Sequence, residues 1–348
     1  MVFLVTGGAG FLGSAIVNEL LLDENAGIVS EVRVLDIQMP ITGSTKKIIF
    51  FQGDIRHKDI VNKACQGVDI VIHAAAIVDW GTRTANEVLD INTGGTKHVI
   101  QSCLDHHVRY LIYTSSLDAI FSGQPMVNVD ESIPFPVKPV NAYCESKQRA
   151  EVIVQRANGQ QLKTCILRPA DIYGEGDPYH IGSLINMAKK GFYVRLGNGR
   201  SKCQHVYVRN IAHAHVLVTK AFMDGNSSIE GNTYFITDGP GKNFFTFYDQ
   251  VVIGAGYKIW PKNLWLPRWL AYAIGSIAEF FAWLISPVKN INPKFSRFAV
   301  IYTCSDFTFN ADKAKKDFDY TPKYSEVEAI AMTIEYYKQL RITNQDRS

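Results

Sequence analysis

The chain has 348 residues, 47% of them hydrophobic, and a formal net charge of +3. That is enough apolar material for one large domain or two closely joined ones. So small a charge, with no basic run interleaved with aromatics, excludes nucleic acid as a partner.

Val2 to Val5 is a short apolar, β-branched run and predicts a buried strand. Thr6-Gly7-Gly8-Ala9-Gly10-Phe11-Leu12-Gly13 follows, and then an amphipathic helix from Ser14 to Leu22. A strand, a glycine loop and a helix in that order are what a dinucleotide site requires. The glycines allow a tight turn and a close backbone approach to the pyrophosphate, and the helix N-terminus adds free N–H groups. Gly7, Gly10 and Gly13, with Phe11 and Leu12 between them, are therefore the candidate cofactor loop.

Glu31 to Asp36 predicts the second strand and ends in an acid. A carboxylate there accepts hydrogen bonds from ribose hydroxyls and repels a 2′-phosphate, which favours NAD over NADP. The alternative is a strand-end acid that only caps a turn. Ile48 to Phe51 is a third run, and Val68 to His73 is a fourth that ends in Ala74-Ala75-Ala76. Small residues there let a ligand lie against the backbone, or they are plain alanine packing. One long helix is expected over residues 84–107, containing Asn92. Val108 to Tyr113 is the fifth strand and delivers Thr114-Ser115-Ser116 to the sheet edge where α/β ligands bind.

After a proline-rich loop comes Tyr143-Cys144-Glu145-Ser146-Lys147. On a helix, residues four apart lie one turn over the other. The lysine ammonium then favours the ionised phenol, whose free pKa of about 10 needs lowering for acid–base work. Leu162 to Leu167 is the sixth strand and leads into Arg168-Pro169. This alternation predicts an α/β fold with a doubly wound parallel sheet of the Rossmann type. Residues 1–170 form its dinucleotide-binding part, with segments around 204–240 packing back on it. Residues 171–348 form a smaller substrate-binding part.

Gln204 to Val208 is strand-like and Asn210 to Phe222 helical. His213 and His215 fall on different faces of that helix and are expected at the surface rather than on a metal. Residues 264–288 are strongly apolar, and Trp269 to Ile285 carries one charge, Glu279. That run falls short of the roughly 20 residues needed to span a bilayer. Trp265, Trp269 and Trp283, with Arg268, Lys289 and Lys294 around them, suit a segment lying in a membrane interface. A buried helix covering the substrate pocket or a dimer interface is the alternative. A turn at 319–322 and a helix from Ser325 to Leu340 close the chain. The six cysteines make no Cys-x-x-Cys pair, so reduced thiols and no metal site are expected. The N-terminal run is too short for a secretory leader, which points to an intracellular protein, cytoplasmic or on the cytoplasmic face of a membrane.

Thr6 to Gly13, His73-Ala-Ala-Ala76, Tyr113-Thr-Ser-Ser116, Tyr143-x-x-x-Lys147, Leu167-Arg-Pro169 and Ile172-Tyr-Gly-Glu-Gly-Asp177 occur in that order. With these motifs the chain resembles the extended short-chain dehydrogenase/reductases. Within them it resembles the 3β-hydroxysteroid dehydrogenase family, which includes sterol-4α-carboxylate 3-dehydrogenases. The resemblance implies NAD-dependent oxidation of a 3β-hydroxyl on a steroid or sterol, with Δ5-to-Δ4 isomerisation as a possible second step, and a homodimer. It implies that Tyr143 is the acid–base group, that Lys147 lowers its pKa and holds the nicotinamide ribose, and that Ser116 (or Ser115) binds the substrate oxygen. Asn92 would support the cofactor or a proton relay, Asp54 and Ile55 would flank the adenine, and Pro169 would lie near the nicotinamide. Asp171 departs from the family pattern and puts the substrate's identity in question. The rival readings are oxidative decarboxylation of a 4α-carboxysterol, a nucleotide-sugar epimerase or dehydratase, and a cofactor-binding protein without chemistry.

Overall fold

The structure is a computed structural model that describes residues 1–39, 47–79, 83–285 and 295–345. In its first part the order is β1 (Val2–Thr6), α1 (Phe11–Leu20), β2 (Glu31–Asp36), β3 (Ile48–Gln52), α2 (Lys58–Cys65), β4 (Ile70–His73), α3 (Ala85–Leu89), α4 (Gly95–Asp105), β5 (Tyr110–Thr114), β6 (Met126–Val129), α5 (Ala142–Ala157) and β7 (Lys163–Pro169). Then come β8 (Asp171–Tyr173), α6 (His180–Lys189), β9 (Arg195–Leu196), β10 (His205–Tyr207), α7 (Val208–Met223), β11 (Thr233–Ile236), α8 (Phe244–Gly254), β12 (Trp265–Leu266), α9 (Arg268–Ile285), α10 (Arg297–Thr303), β13 (Phe307–Phe309), α11 (Asp312–Phe318) and α12 (Glu326–Gln345).

Seven parallel strands form the central sheet in the order β11-β7-β5-β4-β1-β2-β3. Both faces are covered, which is why the strands read as unbroken apolar runs. Along β1 the side chains alternate between two cores. Phe3 and Val5 join residues of α1 and α7 on one face, and Leu4 joins residues of α2, α4 and α5 on the other. The strand order turns between β1 and β4, and a crevice opens there at the carboxyl ends of the strands. A further core, built from α6, α8 and α12 with Tyr173 and Tyr207, closes the other side of that crevice.

Several elements differ from the sequence expectations. The first helix starts at Phe11 rather than Ser14, so the glycine loop runs directly into it. The long helix expected over 84–107 runs without interruption from Ala85 to Asp105, with a π-turn, Asp90–Gly94, between α3 and α4. Within that turn the Asn92 side chain bonds the Ile77 backbone while Thr96 bonds its carbonyl. The seventh strand, β11, is an addition to the six strands that the sequence predicts for the sheet. Gln204 to Val208 contributes β10, but it pairs with β8 outside the main sheet. His215 is fully buried, contrary to the surface expectation, because α7 packs against the sheet, and its Nε2 lies 2.8 Å from Thr114 Oγ1. His213 is half-buried beside Glu19. All six cysteines are free.

The apolar segment forms α9, whose outer face is exposed at Trp269, Ile277, Phe280, Phe281 and Leu284. Among the described residues, no helix is long and apolar enough to cross a membrane. Lys289 and Lys294, expected to flank this segment, lie outside the described residues.

One buried ion pair ties α5 to the sheet. Glu151 on α5 accepts from Arg168 on β7, Nη2 to Oε2 2.6 Å, and neither side chain is more than 3% exposed. Removing one member of such a pair strands the other charge in the interior, at about 3–5 kcal/mol. Glu151→Ala is therefore expected to lower the unfolding free energy by about that amount, measured by urea titration with circular dichroism. A loss well under 1 kcal/mol would show that the pair is not a structural clamp.

Candidate active site

The crevice contains a cavity of about 510 Å³. Gly7, Gly10, Phe11, Leu12, Gly13, Asp36, Asp54, Ile55, Ala74, Ala75, Ser116, Tyr143, Lys147 and Pro169 all line it. Of the residues expected in the site, Asn92 alone stands behind the wall. Its buried amide bonds both Ile77 backbone groups and donates to Ser146 Oγ at 2.9 Å, bracing the Ile77 loop against α5.

The glycine loop is as tight as its composition requires. Gly7 has φ +70°, and a Cβ there would meet the Ala75 backbone at 2.7 Å. A Cβ on Gly13 would sit 2.0 Å from the Gly7 carbonyl oxygen. The Ala75 backbone thus leaves no room for a side chain at Gly7, and Ala75 also lines the cavity. At the end of β2, Asp36 Oδ2 accepts the Ala9 N–H and Oδ1 the Gln38 N–H, both at 3.0 Å. Each carboxylate oxygen keeps a further lone pair. The cradle therefore fits a dinucleotide: close backbone for the pyrophosphate, a helix N-terminus beside it, and a free acceptor edge for ribose hydroxyls. Asp54 is engaged by Arg56 (2.7 Å), and both line the same end.

The reactive end is built by β5, α5 and β7. Asn141 caps α5 by accepting the Cys144 N–H at 2.8 Å. Tyr143, Lys147 and Glu151 then follow one another at the i, i+4 spacing on the buried face. Lys147 Nζ donates to the Thr114 carbonyl at 3.0 Å. Burial holds its pKa down at about 8, against the pull of Glu151 and Asp118. Burial, with Asp118 adding to it, pushes the Tyr143 phenol well above its ordinary value, while the Ser116 hydroxyl pulls the other way. Burial thus dominates at the phenol.

Of the two serines after β5, Ser115 is committed to Glu151. Ser116 donates to Asp118 Oδ2 at 2.7 Å and accepts the Asp118 N–H at 3.2 Å. Asp118, Tyr179, His180 and Tyr302 also line the cavity, and sequence reasoning did not single them out. Asp118 had a signal, since it lies two residues past Ser116 on the same turn. Tyr302 had none, because only the packing of α10 brings it there. Burial raises Asp118 to about 6, an effect that the Ser116 hydrogen bond opposes and Asp171 reinforces. Asp171 is held by His180 Nε2 at 2.7 Å and by the Tyr248 hydroxyl at 2.9 Å. Burial works against the charge on His180, but Asp171 outweighs it and lifts the imidazole to about 9. Asp171, Cys203 and His205 also bring donor atoms within 4.8 Å of one another, although Asp171 is already engaged.

A nucleotide cradle joined to a buried tyrosine and lysine on one helix defines an oxidoreductase of the extended short-chain dehydrogenase/reductase class. The profile of the 3-beta hydroxysteroid dehydrogenase/isomerase family matches residues 4–267. The zebrafish (Danio rerio) short-chain dehydrogenase/reductase family 42E member 1 is 32% identical over 341 residues, covering 94% of this chain and 86% of that protein. The 3 beta-hydroxysteroid dehydrogenase/Delta 5-->4-isomerase of vaccinia virus (strain Western Reserve) is 33% identical over 339 residues, covering 93% of this chain and 95% of that one. Among solved structures, the dTDP-glucose 4,6-dehydratase DesIV of Streptomyces venezuelae is similar in fold, with a TM-score of 0.76 at 21% identity, covering 99% of this chain and 98% of that one. A UDP-glucose 4-epimerase of Thermotoga maritima has a TM-score of 0.74 at 21% identity, covering 98% and 100%. The chain belongs to the 3-beta hydroxysteroid dehydrogenase/isomerase family and is an NAD-dependent oxidoreductase.

Gly13→Ala tests the cradle. Its Cβ cannot fit 2.0 Å from the Gly7 oxygen without moving the loop. The variant is expected to bind NAD at least about tenfold more weakly, read by calorimetry, because the helix N-terminus and the loop N–H groups lose their alignment.

Proposed function

We propose that this protein oxidises a 3β-hydroxyl on a steroid or sterol to the 3-ketone. The observation that carries the reading is the convergence of Ser116, Tyr143 and Lys147 at one end of the same cavity whose other end is the glycine cradle. Membership of the family supports a steroid-type substrate, and Leu117, Ile77 and Val78 give the cavity apolar wall.

Gly7, Gly10, Gly13 and Asp36 would hold NAD, with Ala74, Ala75, Asp54, Ile55 and Pro169 along its length. When bound, the cofactor supplies the acceptor for the hydride leaving the carbinol carbon. The protein's own residues handle the proton and the charge. Tyr143 Oη, as phenolate, takes the proton of the substrate hydroxyl. Forming that phenolate in a buried site needs a cation close by, and Lys147 on the same helix face is the group placed to supply it. Ser116 Oγ holds the substrate oxygen. Its single proton now points at Asp118 Oδ2, and the oxygen of the forming ketone competes for it. Asn92 acts at one remove, by fixing the Ile77 loop against α5.

Tyr143→Phe is expected to lower turnover by about 10²–10⁴-fold, the usual worth of a positioned proton acceptor, with NAD affinity little changed. NADH absorbance and product mass, followed together on a 3β-hydroxy-Δ5 steroid, read the result. Wild-type turnover in this variant would exclude the scheme.

Peripheral membrane contact is part of the same reading. Trp269, Ile277, Phe280, Phe281 and Leu284 are each more than half exposed on one helix, a pattern suited to the headgroup–acyl boundary. In flotation with phospholipid vesicles the protein is expected to rise with the lipid, and the double substitution Ile277→Asp, Phe280→Asp to stay behind. Equal flotation of both would remove α9 as the contact.

A further inference from the structure

We infer that Asp118 sets the substrate class of this site: it admits a 3-hydroxyl flanked by a neutral carbon and rejects one flanked by a carboxylate. The inference rests on the proposed oxidation and separates two substrates that the catalytic residues alone do not distinguish.

Distance and charge set this preference. Ser116 Oγ, the atom that holds the reacting oxygen in the proposed reaction, is 2.7 Å from Asp118 Oδ2. A second hydrogen bond of ordinary length places the substrate oxygen no more than about 5.5 Å from that carboxylate. A group on the carbon next to the reacting carbon lies in the same neighbourhood. Asp118 lines the cavity, is 6% exposed, and among the described residues its Oδ1 has no hydrogen-bond partner. A carboxylate in this wall repels a second anion, and burial weakens the screening between the two charges.

His180 and Lys147 oppose the effect of burial on Asp118 without cancelling it. Arg56 is held by Asp54, Arg83 by Glu87 and His180 by Asp171. Lys147 spends its ammonium on the Thr114 carbonyl and, in the proposed reaction, on the phenolate. Asp171, also in this wall, forms a neutral pair with His180 and adds no free cation to receive a substrate anion. A substrate carboxylate would enter a site where each of these positive groups already has an acidic or carbonyl partner, while the nearest acid has the neutral Ser116 hydroxyl. A 4α-hydroxymethyl group, nearly the same size, carries no charge to be repelled.

The experiment compares three 3β-hydroxy compounds with the purified enzyme and NAD: one unsubstituted at C4, one with a 4α-hydroxymethyl group and one with a 4α-carboxylate. The expected result is kcat/KM at least about tenfold lower for the carboxylate than for the hydroxymethyl compound. In Asp118→Asn the gap shrinks to a few-fold, because the repelling charge is gone. Asp118→Ser is the second variant should the first not fold. Wild-type turnover of the carboxylate equal to or faster than that of the hydroxymethyl compound overturns the inference while leaving the oxidation intact. So does an unchanged gap in a folded variant. No NADH from any of the three overturns the proposed oxidation itself, and the inference with it.

Discussion

The site depends on a single buried acid. Glu151 sits one turn beyond Lys147 on α5 and is wholly enclosed. It takes the guanidinium of Arg168 at the end of β7 and the hydroxyl of Ser115 at the end of β5. One carboxylate thereby fixes the helix that carries Tyr143 and Lys147 against the two strand ends that carry Ser116 and Pro169. Arg168 is further enclosed between the rings of Phe135 and Phe235, at 5.5 and 5.6 Å. A buried pair of this kind is costly to form and more costly to break, so it acts as a registry device rather than a source of net stability.

Around this clamp the reactive wall holds several ionisable groups in a dry setting. Burial alone neutralises such groups. Here it lowers Lys147 and raises Tyr143 and Asp118, while Asp171 keeps His180 charged. His73, behind the cavity, shows the limiting case. Buried with only threonine hydroxyls as partners and near the Lys147 charge, it is pushed down to about 3 and stays neutral. Acid–base chemistry in this wall is therefore a question of which charge has a partner. The glycine cradle opposite carries no such burden, because it works through backbone groups and needs only close approach.

The second part of the chain supplies the enclosing wall and not the reacting groups. Tyr302 from α10 and His180 from α6 reach the cavity, and α9 turns its apolar face outward from the same region. α9 packs against α10, the helix that brings Tyr302 to the cavity, and so links the substrate proposal to the membrane proposal.

Much of this was determined by local sequence. The apolar run Val2–Val5, the glycine spacing, the acid at Asp36 and the four-residue step from Tyr143 to Lys147 each specify a short-range geometry, and the fold realises the sheet they imply. Those features are readable because strand alternation, tight turns and helix periodicity are properties of consecutive residues. The sequence alone did not determine which neighbour each charge would find. It did not show that Asn92 would hold Ile77 from a π-turn within a helix, that His215 would be buried beneath Thr114, or that Asp118 would accept the Ser116 hydroxyl. Nor did it show that α10 would bring Tyr302 into a cavity begun at Gly7. Those outcomes depend on burial and on contacts between residues far apart in the chain, and they are set only when the layers pack. The class of chemistry was legible in the motifs, and the polarity of the pocket that selects a substrate was decided by the tertiary structure.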